Sequence, residues 1–410
     1  MKTMISLFMA FLLVTVSSCQ KDDMEPYENK VIELDEKSAQ LIEAENEFGF
    51  ELYQHVFSSE TKHDNIMVSP LSVSLALAMT YNGANGETKT AMEKTLKVYG
   101  LTPVEINKSY QTLVKALKNL DKKVILEIAN AIFYREGFQV EKDFVSINNN
   151  YYDAKVSALD FGSPNAVKTI NNWVADKTND KIETILDNIT SEQVMFLLNA
   201  IYFKGPWKSK FEKKNTVKND FYLENDSTVQ ADFMQQTNTA LFASNELFSA
   251  IRLPYGQGNF NMYVFLPHTD KTLQDITDNL NKENWETWME NFSEQNVNIQ
   301  FPKFKYEYEI KLNDVLSEMG MELAFSPYNA DFTGINRNGH LYIDYVKHKS
   351  FIEVDEEGTE AAAVTVVAID YTSVGPGGNI PFIVNRPFMY AITEKSTGAV
   401  LFMGTVKNPV

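Results

Sequence analysis

The run from Val194 to Phe203 constrains the fold of this chain most strongly, because it is apolar or aromatic apart from a single amide, Asn199. Its β-branched and aromatic residues favour a strand, and the absence of a polar face predicts that both faces are covered. A buried amide without partners costs about 1–3 kcal/mol, so we expect Asn199 to bridge neighbouring strands. A second run of β-forming residues, Val124 to Tyr134, predicts another long central strand.

Helical patterns are concentrated early in the chain and strand patterns late. Helical spacing predicts helices at residues 39–57, 70–79, 89–98, 106–120, 144–152, 166–178, 273–289 and 312–319. Alternating or apolar β-rich runs predict strands at residues 65–68, 124–134, 194–203, 221–222, 229–234, 250–253, 260–265, 297–304, 345–354, 382–385, 387–393 and 401–406. This order indicates an α+β fold with mainly antiparallel sheets. The 410 residues contain no Pro/Ser-rich linker and no repeat, so we expect one large domain.

The stretch from Glu353 to Ser373 has conflicting local preferences. Residues 360–363 (Glu-Ala-Ala-Ala) favour a helix, whereas residues 364–369 (Val-Thr-Val-Val-Ala-Ile) favour a strand. The residues that would share one face of a strand are Thr359, Ala361, Ala363, Thr365, Val367 and Ile369. This face starts small and becomes apolar, which suits insertion into a nearly filled core. An ordinary buried strand followed by a flexible loop at residues 375–378 is the alternative.

The N-terminus resembles a lipoprotein signal. Lys2 precedes an apolar run, residues 4–16, that is too short to span a bilayer and suits a secretory signal peptide at residues 1–18. The run ends in Val-Ser-Ser-Cys, similar to a bacterial lipobox, so we expect Cys19, the only cysteine, to be lipidated.

The residues after the cysteine suggest an address and a tether. Residues 20–23 (Gln-Lys-Asp-Asp) resemble the signals that send lipoproteins to the outer face of the outer membrane in Bacteroidetes-type bacteria. The polar, acidic residues 19–36 would then tether a domain at residues 37–410 to that membrane through one lipid anchor.

The charge balance argues against a nucleic-acid partner. A net charge of −18 repels phosphate backbones, and no basic stripe is large enough to offset it. The nearest cluster, Lys115, Lys118, Lys122 and Lys123, is interpreted as a solvated helix face and its turn.

No pattern of catalytic residues stands out, so we expect no enzyme activity, no cofactor and no metal site. The five histidines lack metal-binding spacing, and the glycine patterns of phosphate and dinucleotide sites are absent. His348 could belong to a hydrolase triad, but its place in an alternating apolar strand favours a core histidine. The acidic run 355–357 could imitate a carboxylate pair or a calcium site, although a charged strand end is the commoner case.

Nine short landmarks in series resemble the serpin family over residues 40–410. These landmarks are residues 65–79 with Ser69-Pro70-Leu71-Ser72, then 199–207, 301–304, 331–334, 348–354, 356–363, 385–388, 401–404 and 408–409. The resemblance implies a serpin fold with three mainly antiparallel β-sheets, about nine α-helices and an exposed reactive-centre loop at about residues 357–381. In that family a serine protease attacks the loop, becomes trapped as an acyl-enzyme, and is carried away as the loop inserts into the large sheet.

The resemblance also assigns roles to residues in this sequence. The hinge, where insertion begins, would be Glu356, Glu357, Gly358, Thr359, Glu360, Ala361, Ala362 and Ala363. The shutter, a polar cluster beneath the large sheet, would be Ser69, Ser72, Asn199 and His348. The breach, at the top of that sheet, would be Trp207, Lys303 and Glu356, with an ion pair between the last two.

The position of the reactive bond comes from counting along the loop. A count from Glu356 places the bond between Thr372 and Ser373, with Tyr371 and Val374 as alternatives. Thr372 or Val374 would suit elastase-like proteases and Tyr371 chymotrypsin-like ones, whereas subtilisin-like and cysteine proteases stay open. We expect a monomeric inhibitor that forms a covalent complex with its target protease. A non-inhibitory serpin that acts as a cell-surface binding module is the alternative.

Overall fold

Helices occupy mainly the first half of the chain in the structure, a computed structural model that describes residues 30–359 and 378–410. The α-helices in these residues are α1 Glu36–Ser59, α2 Pro70–Tyr81, α3 Gly86–Thr95, α4 Pro103–Lys118, α5 Lys142–Tyr152, α6 Ala166–Lys177, α7 Leu273–Asp278, α8 Lys282–Glu290 and α9 Asn313–Leu316. The strands are β1 Ile66–Val68, β2 Ile125–Arg135, β3 Lys155–Leu159, β4 Met195–Pro206, β5 Val217–Tyr222, β6 Thr228–Ser244, β7 Phe248–Tyr255, β8 Phe260–Pro267, β9 Ser293–Pro302, β10 Phe304–Lys311, β11 Lys347–Val354, β12 Gly358–Thr359, β13 Ile380–Ile383, β14 Phe388–Glu394 and β15 Val400–Val406. The predicted α+β class is confirmed.

Hydrogen bonds group the described strands into two sheets. The nine-stranded sheet has the order β1-β15-β14-β8-β7-β6-β9-β13, with β5 also paired to β6, and the six-stranded sheet has the order β10-β11-β12-β4-β2-β3. The resemblance implied three sheets. In the structure the long strand β6 pairs with β7 at one end and with β5 and β9 along the rest, so two of the three expected sheets are joined into the nine-stranded sheet. Among the strands of residues 30–359 and 378–410, only the β2–β3 and β9–β13 pairs are parallel, in line with the expectation of mainly antiparallel sheets.

Helix α2 packs against strands of both sheets, which explains why its sequence has no polar face. Its neighbours include β4 of the six-stranded sheet and β15 of the nine-stranded sheet. Ser69 caps the helix by accepting a hydrogen bond from the Ser72 amide, and Pro70 occupies the first turn, where a missing N–H does no harm. The opposite face of the six-stranded sheet is covered by α6, whose Trp173 lies in an apolar cluster with Phe133 and Phe196.

The structure corrects three predicted elements. The predicted helix at residues 273–289 is two helices, α7 and α8, because Asn281 leaves the helix and caps α8 with its side chain. The predicted strand at residues 297–304 ends at Pro302, and the chain turns at Lys303 into β10, which the sequence did not predict. The helix predicted at residues 312–319 is regular only over α9 and continues as a wider turn through Gly320, where φ is +104°.

The chain contacts the domain from its first described residue. The Asn259 side chain donates to the Lys30 carbonyl, Ile32 is buried, and Asp35 caps α1. Part of the segment that the sequence analysis assigned to a tether, residues 30–36, therefore packs against the domain.

Candidate functional site

A gap separates β4 from β11 in the six-stranded sheet, and the short strand β12 bridges it at one end. Thr359 pairs with Gly205 of β4 and with Val354 of β11, while Gly358 pairs with Pro206. Farther along, among the described residues, no hydrogen bonds join β4 to β11. Residues 195–201 and 345–349 instead line a cavity of about 940 Å³. We call this space between β4 and β11 the slot, and the end that β12 occupies its upper end.

Backbone contacts hold the chain at the upper end of the slot. The Trp207 amide donates to the Glu357 carbonyl at 2.7 Å, and the Trp207 indole donates to the Asp355 carbonyl at 2.9 Å. Gly358 has φ +150°, and a side chain there would overlap with the backbone of Gly205 and Pro206. This position therefore requires glycine, both for its backbone conformation and for the close approach of β4.

A buried carboxylate, Glu356, anchors the base of the hinge. The Lys303 ammonium lies 3.0 Å from one carboxylate oxygen of Glu356, and the Thr216 hydroxyl donates to the other at 2.8 Å. Burial alone would raise the pKa of Glu356, but the hydrogen bond from Thr216 and the charge of Lys303 together lower it. Glu356 is thus held ionised. Thr216 was missed by the sequence analysis, because nothing local marks a threonine as the partner of a distant acid.

An aromatic pair connects the hinge to the nine-stranded sheet. Trp207 stacks on Tyr255 with ring centroids 4.5 Å apart, and the Tyr255 hydroxyl lies 2.6 Å from the Thr359 hydroxyl. Thr359 is buried, so its side chain points into the protein at the upper end of the slot. The alternating strand that contains Tyr255 gave no signal for this contact.

The residues assigned to the shutter lie along the lower part of the slot. The Ser69 hydroxyl donates to the Leu401 carbonyl at 2.8 Å, and the Ser69 amide donates to the His348 ring nitrogen Nε2 at 3.2 Å. Burial lowers the pKa of His348 to about 4, so the ring is neutral at physiological pH. Ser72, His348 and Asn199 all line the slot.

Asn199 makes no hydrogen bond to His348 or to the shutter serines. Its amide donates across to Asn130 on β2 at 2.7 Å, and its carbonyl oxygen is buried without a partner among the described residues. The predicted bridge to a neighbouring strand is therefore present, but the two sides of the shutter are separate.

Several predicted site residues lie outside the described residues. These are Cys19, the hinge residues Glu360, Ala361, Ala362 and Ala363, and the candidate bond residues Tyr371, Thr372, Ser373 and Val374. Within the described residues, no group of three or more histidine, cysteine or acidic side chains could hold a metal ion.

Comparisons with known proteins agree with this architecture. The family described as "Serpin (serine protease inhibitor)" matches residues 43–409. An uncharacterised serpin-like protein of Thermococcus kodakarensis is 33% identical over 373 residues, which cover 90% of this chain and 86% of that protein. Human antithrombin-III is 32% identical over 381 residues, covering 90% and 82%. The thermophilic serpin tengpin in its native state superposes with a TM-score of 0.83 at 36% identity, covering 93% of this chain and 96% of that one.

The Lys303–Glu356 ion pair predicts a clear effect of removing the cation. In Lys303→Met, the buried Glu356 loses its counter-charge, so we expect a loss of about 1–3 kcal/mol in the free energy of unfolding. Urea unfolding followed by circular dichroism measures it. Lys305→Met is the matched control, because Lys305 pairs at 3.3 Å with Glu353 and is itself 60% exposed. An equal effect in both variants would contradict the role of the buried pair.

The lowered pKa of His348 predicts that stability falls in mild acid. The unfolded chain binds a proton below pH 6.5 and the folded one only near pH 4, so stability is lost as the pH falls through this range. The full difference amounts to about 3 kcal/mol. The test is to measure the free energy of unfolding of the wild type and of His348→Gln between pH 7 and 4. The free energy of the variant should depend less steeply on pH than that of the wild type. Parallel slopes for wild type and His348→Gln would count against the assignment.

Proposed function

This chain belongs to the serpin family, and from that premise we propose that it is a suicide-substrate inhibitor of serine proteases. The slot is the observation that carries the proposal: the chain enters its upper end at Gly358 and Thr359, and the sequence continues after Glu360 with three alanines, residues 361–363. A strand inserted between β4 and β11 would satisfy the facing edges of both strands. Such an insertion supplies the free energy that trapping a protease requires.

The chemistry of trapping begins as ordinary proteolysis. The serine oxygen of the protease attacks the carbonyl carbon of the reactive bond, for which we propose Thr372–Ser373. The bond to the Ser373 nitrogen breaks, and this nitrogen leaves as an amine after receiving a proton. Thr372 then remains bound to the protease as an ester. Insertion of the freed loop before water reaches the ester would leave the protease covalently attached.

The pairing at β12 supports a specific register for the inserted loop. Continued along β4, the antiparallel register of Thr359 with Gly205 brings Thr365 opposite Asn199. Continued along β11, the register of Val354 with Thr359 brings the same Thr365 opposite His348. The Thr365 hydroxyl would then lie between the two sides of the shutter, where the unpartnered oxygen of Asn199 needs a donor. A hydrogen bond there contributes about 1 kcal/mol to the inserted state.

The same register decides which loop side chains face inward. Because Thr359 is buried, alternation along an inserted strand would place Ala361 and Ala363 inward as well, and Glu360 and Ala362 outward. The inward positions carry small side chains and the single charge lies outward. Entry at the upper end of the slot is therefore compatible with the tight contacts around Gly205 and Tyr255.

The candidate bond residues favour proteases that accept small, branched or aromatic side chains. Thr372 or Val374 suits an elastase-like pocket and Tyr371 a chymotrypsin-like one, while subtilisin-like and cysteine proteases are further candidates. No basic residue lies between Thr359 and Pro381, which argues against trypsin-like targets.

We further propose that the inhibitor is held at the outer face of an outer membrane through lipidated Cys19. The Val-Ser-Ser-Cys sequence after an apolar run supports this. No helix within residues 30–359 and 378–410 has the length and apolarity to cross a bilayer.

Inhibition predicts a covalent complex. Incubation with pancreatic elastase, chymotrypsin or subtilisin should give a band on denaturing gels at the summed mass of the protease and the inhibitor without its fragment from Ser373 onward, because an ester survives SDS. A protease blocked at its catalytic serine is the control and should give no such band. N-terminal sequencing of the released fragment should start at Ser373. If every protease only cleaves the loop, without a complex and without a gain in thermal stability, the inhibitor proposal fails.

Loop insertion predicts opposite outcomes for two neighbouring substitutions. Thr359→Arg places a charged side chain at a buried inward position, so the loop inserts more slowly and water hydrolyses the ester first. The stoichiometry of inhibition, which is the number of inhibitor molecules consumed per protease molecule inhibited, should therefore rise several-fold. Glu360→Arg changes the outward position and should leave the stoichiometry close to that of the wild type. Equal stoichiometries in both variants would argue against insertion, once circular dichroism has verified that both are folded.

Lipid attachment is tested by metabolic labelling with an alkyne fatty acid. The wild type should carry the label and sediment with the membrane fraction, whereas Cys19→Ala should lose both properties because no other cysteine exists. Labelling of Cys19→Ala would refute the anchor without touching the inhibitor proposal.

A further inference from the structure

A second, smaller cavity lies where β6 separates from β7. The two strands pair from Leu241 and Arg252 onward, whereas the preceding part of β6 pairs with β9 instead. The space between the diverging strands is covered by the segment from Trp207 to Phe211 and has a volume of about 210 Å³. We call it the fork cavity. It is lined by Gln236 and residues 238–241 of β6, by residues 252–254 of β7, by Glu294 of β9 and by the covering segment.

Two residues that line the fork cavity carry buried polar atoms without a hydrogen-bond partner. One is the Nε–H donor of Arg252, and the other is the side-chain oxygen of Asn238, an acceptor. The positive charge of Arg252 acts on the neighbouring Tyr263 hydroxyl, and among the described residues Arg252 forms no ion pair with a carboxylate. A buried polar group without a partner is unfavourable, so both atoms favour a ligand that supplies an acceptor to Arg252 and a donor to Asn238.

The rest of the lining is suited to an aromatic ring. Trp207 is only 3% exposed, and Phe211, Leu241, Leu253 and Pro254 form the apolar part of the lining beside the polar Ser209, Gln236 and Thr239. An apolar cavity of about 150 Å³ is known to bind benzene, so this slightly larger space holds a ring with one or two short substituents.

The charges near the cavity favour an anion. Arg252 is partly buried and its planar guanidinium matches a carboxylate, whereas Glu294 is exposed to solvent that screens its charge. The exposed Lys208 also lines the cavity, and solvent screens its charge as it screens that of Glu294, so the partly buried Arg252 sets the sign. A cationic ligand would face the unpartnered N–H of Arg252 and is disfavoured.

We propose that the fork cavity binds a small aromatic carboxylate that also carries a hydrogen-bond donor. The carboxylate pairs with Arg252, the ring lies against Trp207, and the donor reaches the side-chain oxygen of Asn238.

The position of Trp207 connects this cavity with the hinge. The segment that covers the fork cavity also donates from the Trp207 and Phe211 amides to the Glu357 and Glu356 carbonyls. A ligand that orders this segment therefore stabilises the hinge contacts and slows their release. This coupling rests on the proposed inhibitory function, whereas the binding itself does not.

The binding test uses isothermal titration calorimetry with 4-hydroxyphenylacetate and no protease. We expect saturable binding that weakens about tenfold for phenylacetate, which lacks the donor, because about 1.4 kcal/mol corresponds to a factor of ten. Tyramine, which replaces the carboxylate by an ammonium, should not bind. Equal binding of tyramine, or no heat with any of the three compounds on folded protein, would overturn the proposal.

Two variants with a matched control place the ligand. Arg252→Met should abolish binding, and Asn238→Leu should remove the difference between 4-hydroxyphenylacetate and phenylacetate. Arg337→Met is the control and should bind as the wild type does, since Arg337 is 82% exposed and pairs with Glu141. Wild-type affinity in Arg252→Met would show that the ligand binds elsewhere and refute the site.

The coupling is measured separately as the rate of covalent complex formation with and without saturating 4-hydroxyphenylacetate. A slower rate in the wild type, and no change in Arg252→Met, supports it, whereas an unchanged rate at saturation refutes it. If no protease forms a complex at all, the proposed function has failed, and the calorimetric result still decides on the binding site.

Discussion

The buried carboxylate of Glu356 is the interaction on which the arrangement at the upper end of the slot depends. An ionised acid in this environment is stable only with compensating partners, which are Lys303, between β9 and β10, and Thr216, directly before β5. With Glu356 held, the next residues have few alternatives: Gly358 lies against the backbone of Gly205, and Thr359 turns inward to Tyr255. The direction in which the chain enters the slot thus follows from one charge and its partners.

Trp207 extends this constraint to the rest of the molecule. One side of its indole holds the hinge through the Asp355 carbonyl, its face stacks on Tyr255, and the segment that follows it covers the fork cavity. The hinge and the fork cavity therefore both contact the segment that begins at Trp207. At the other end of the slot, His348 and Asn199 lie on opposite sides with separate hydrogen-bond partners, so strand separation there breaks no direct bond between them.

Comparison of the predicted and observed elements indicates where sequence reasoning succeeds. The serpin family and the α+β fold were predicted and are confirmed, because α2, β2 and β4 carry unmistakable burial patterns and the family landmarks are numerous. The helix at residues 273–289 was wrong because Asn281 competes as a cap, and β10 was missed because a one-residue turn at Lys303 separates it from β9. Both errors occur where a single side chain or turn outweighs the periodicity around it.

The sequence alone determined the kinds of elements, their order and the small, uncharged inward face that follows Thr359, since propensity and alternation are local properties. The tertiary structure decided which distant residues meet: Thr216 contacts Glu356 and Tyr255 contacts Thr359, while Arg252 and Asn238 are brought to the lining of one cavity. These contacts depend on strand register and on the angle at which two strands diverge. Neither quantity is encoded within a window of neighbouring residues, because both result from packing the complete sheets against α2 and against each other.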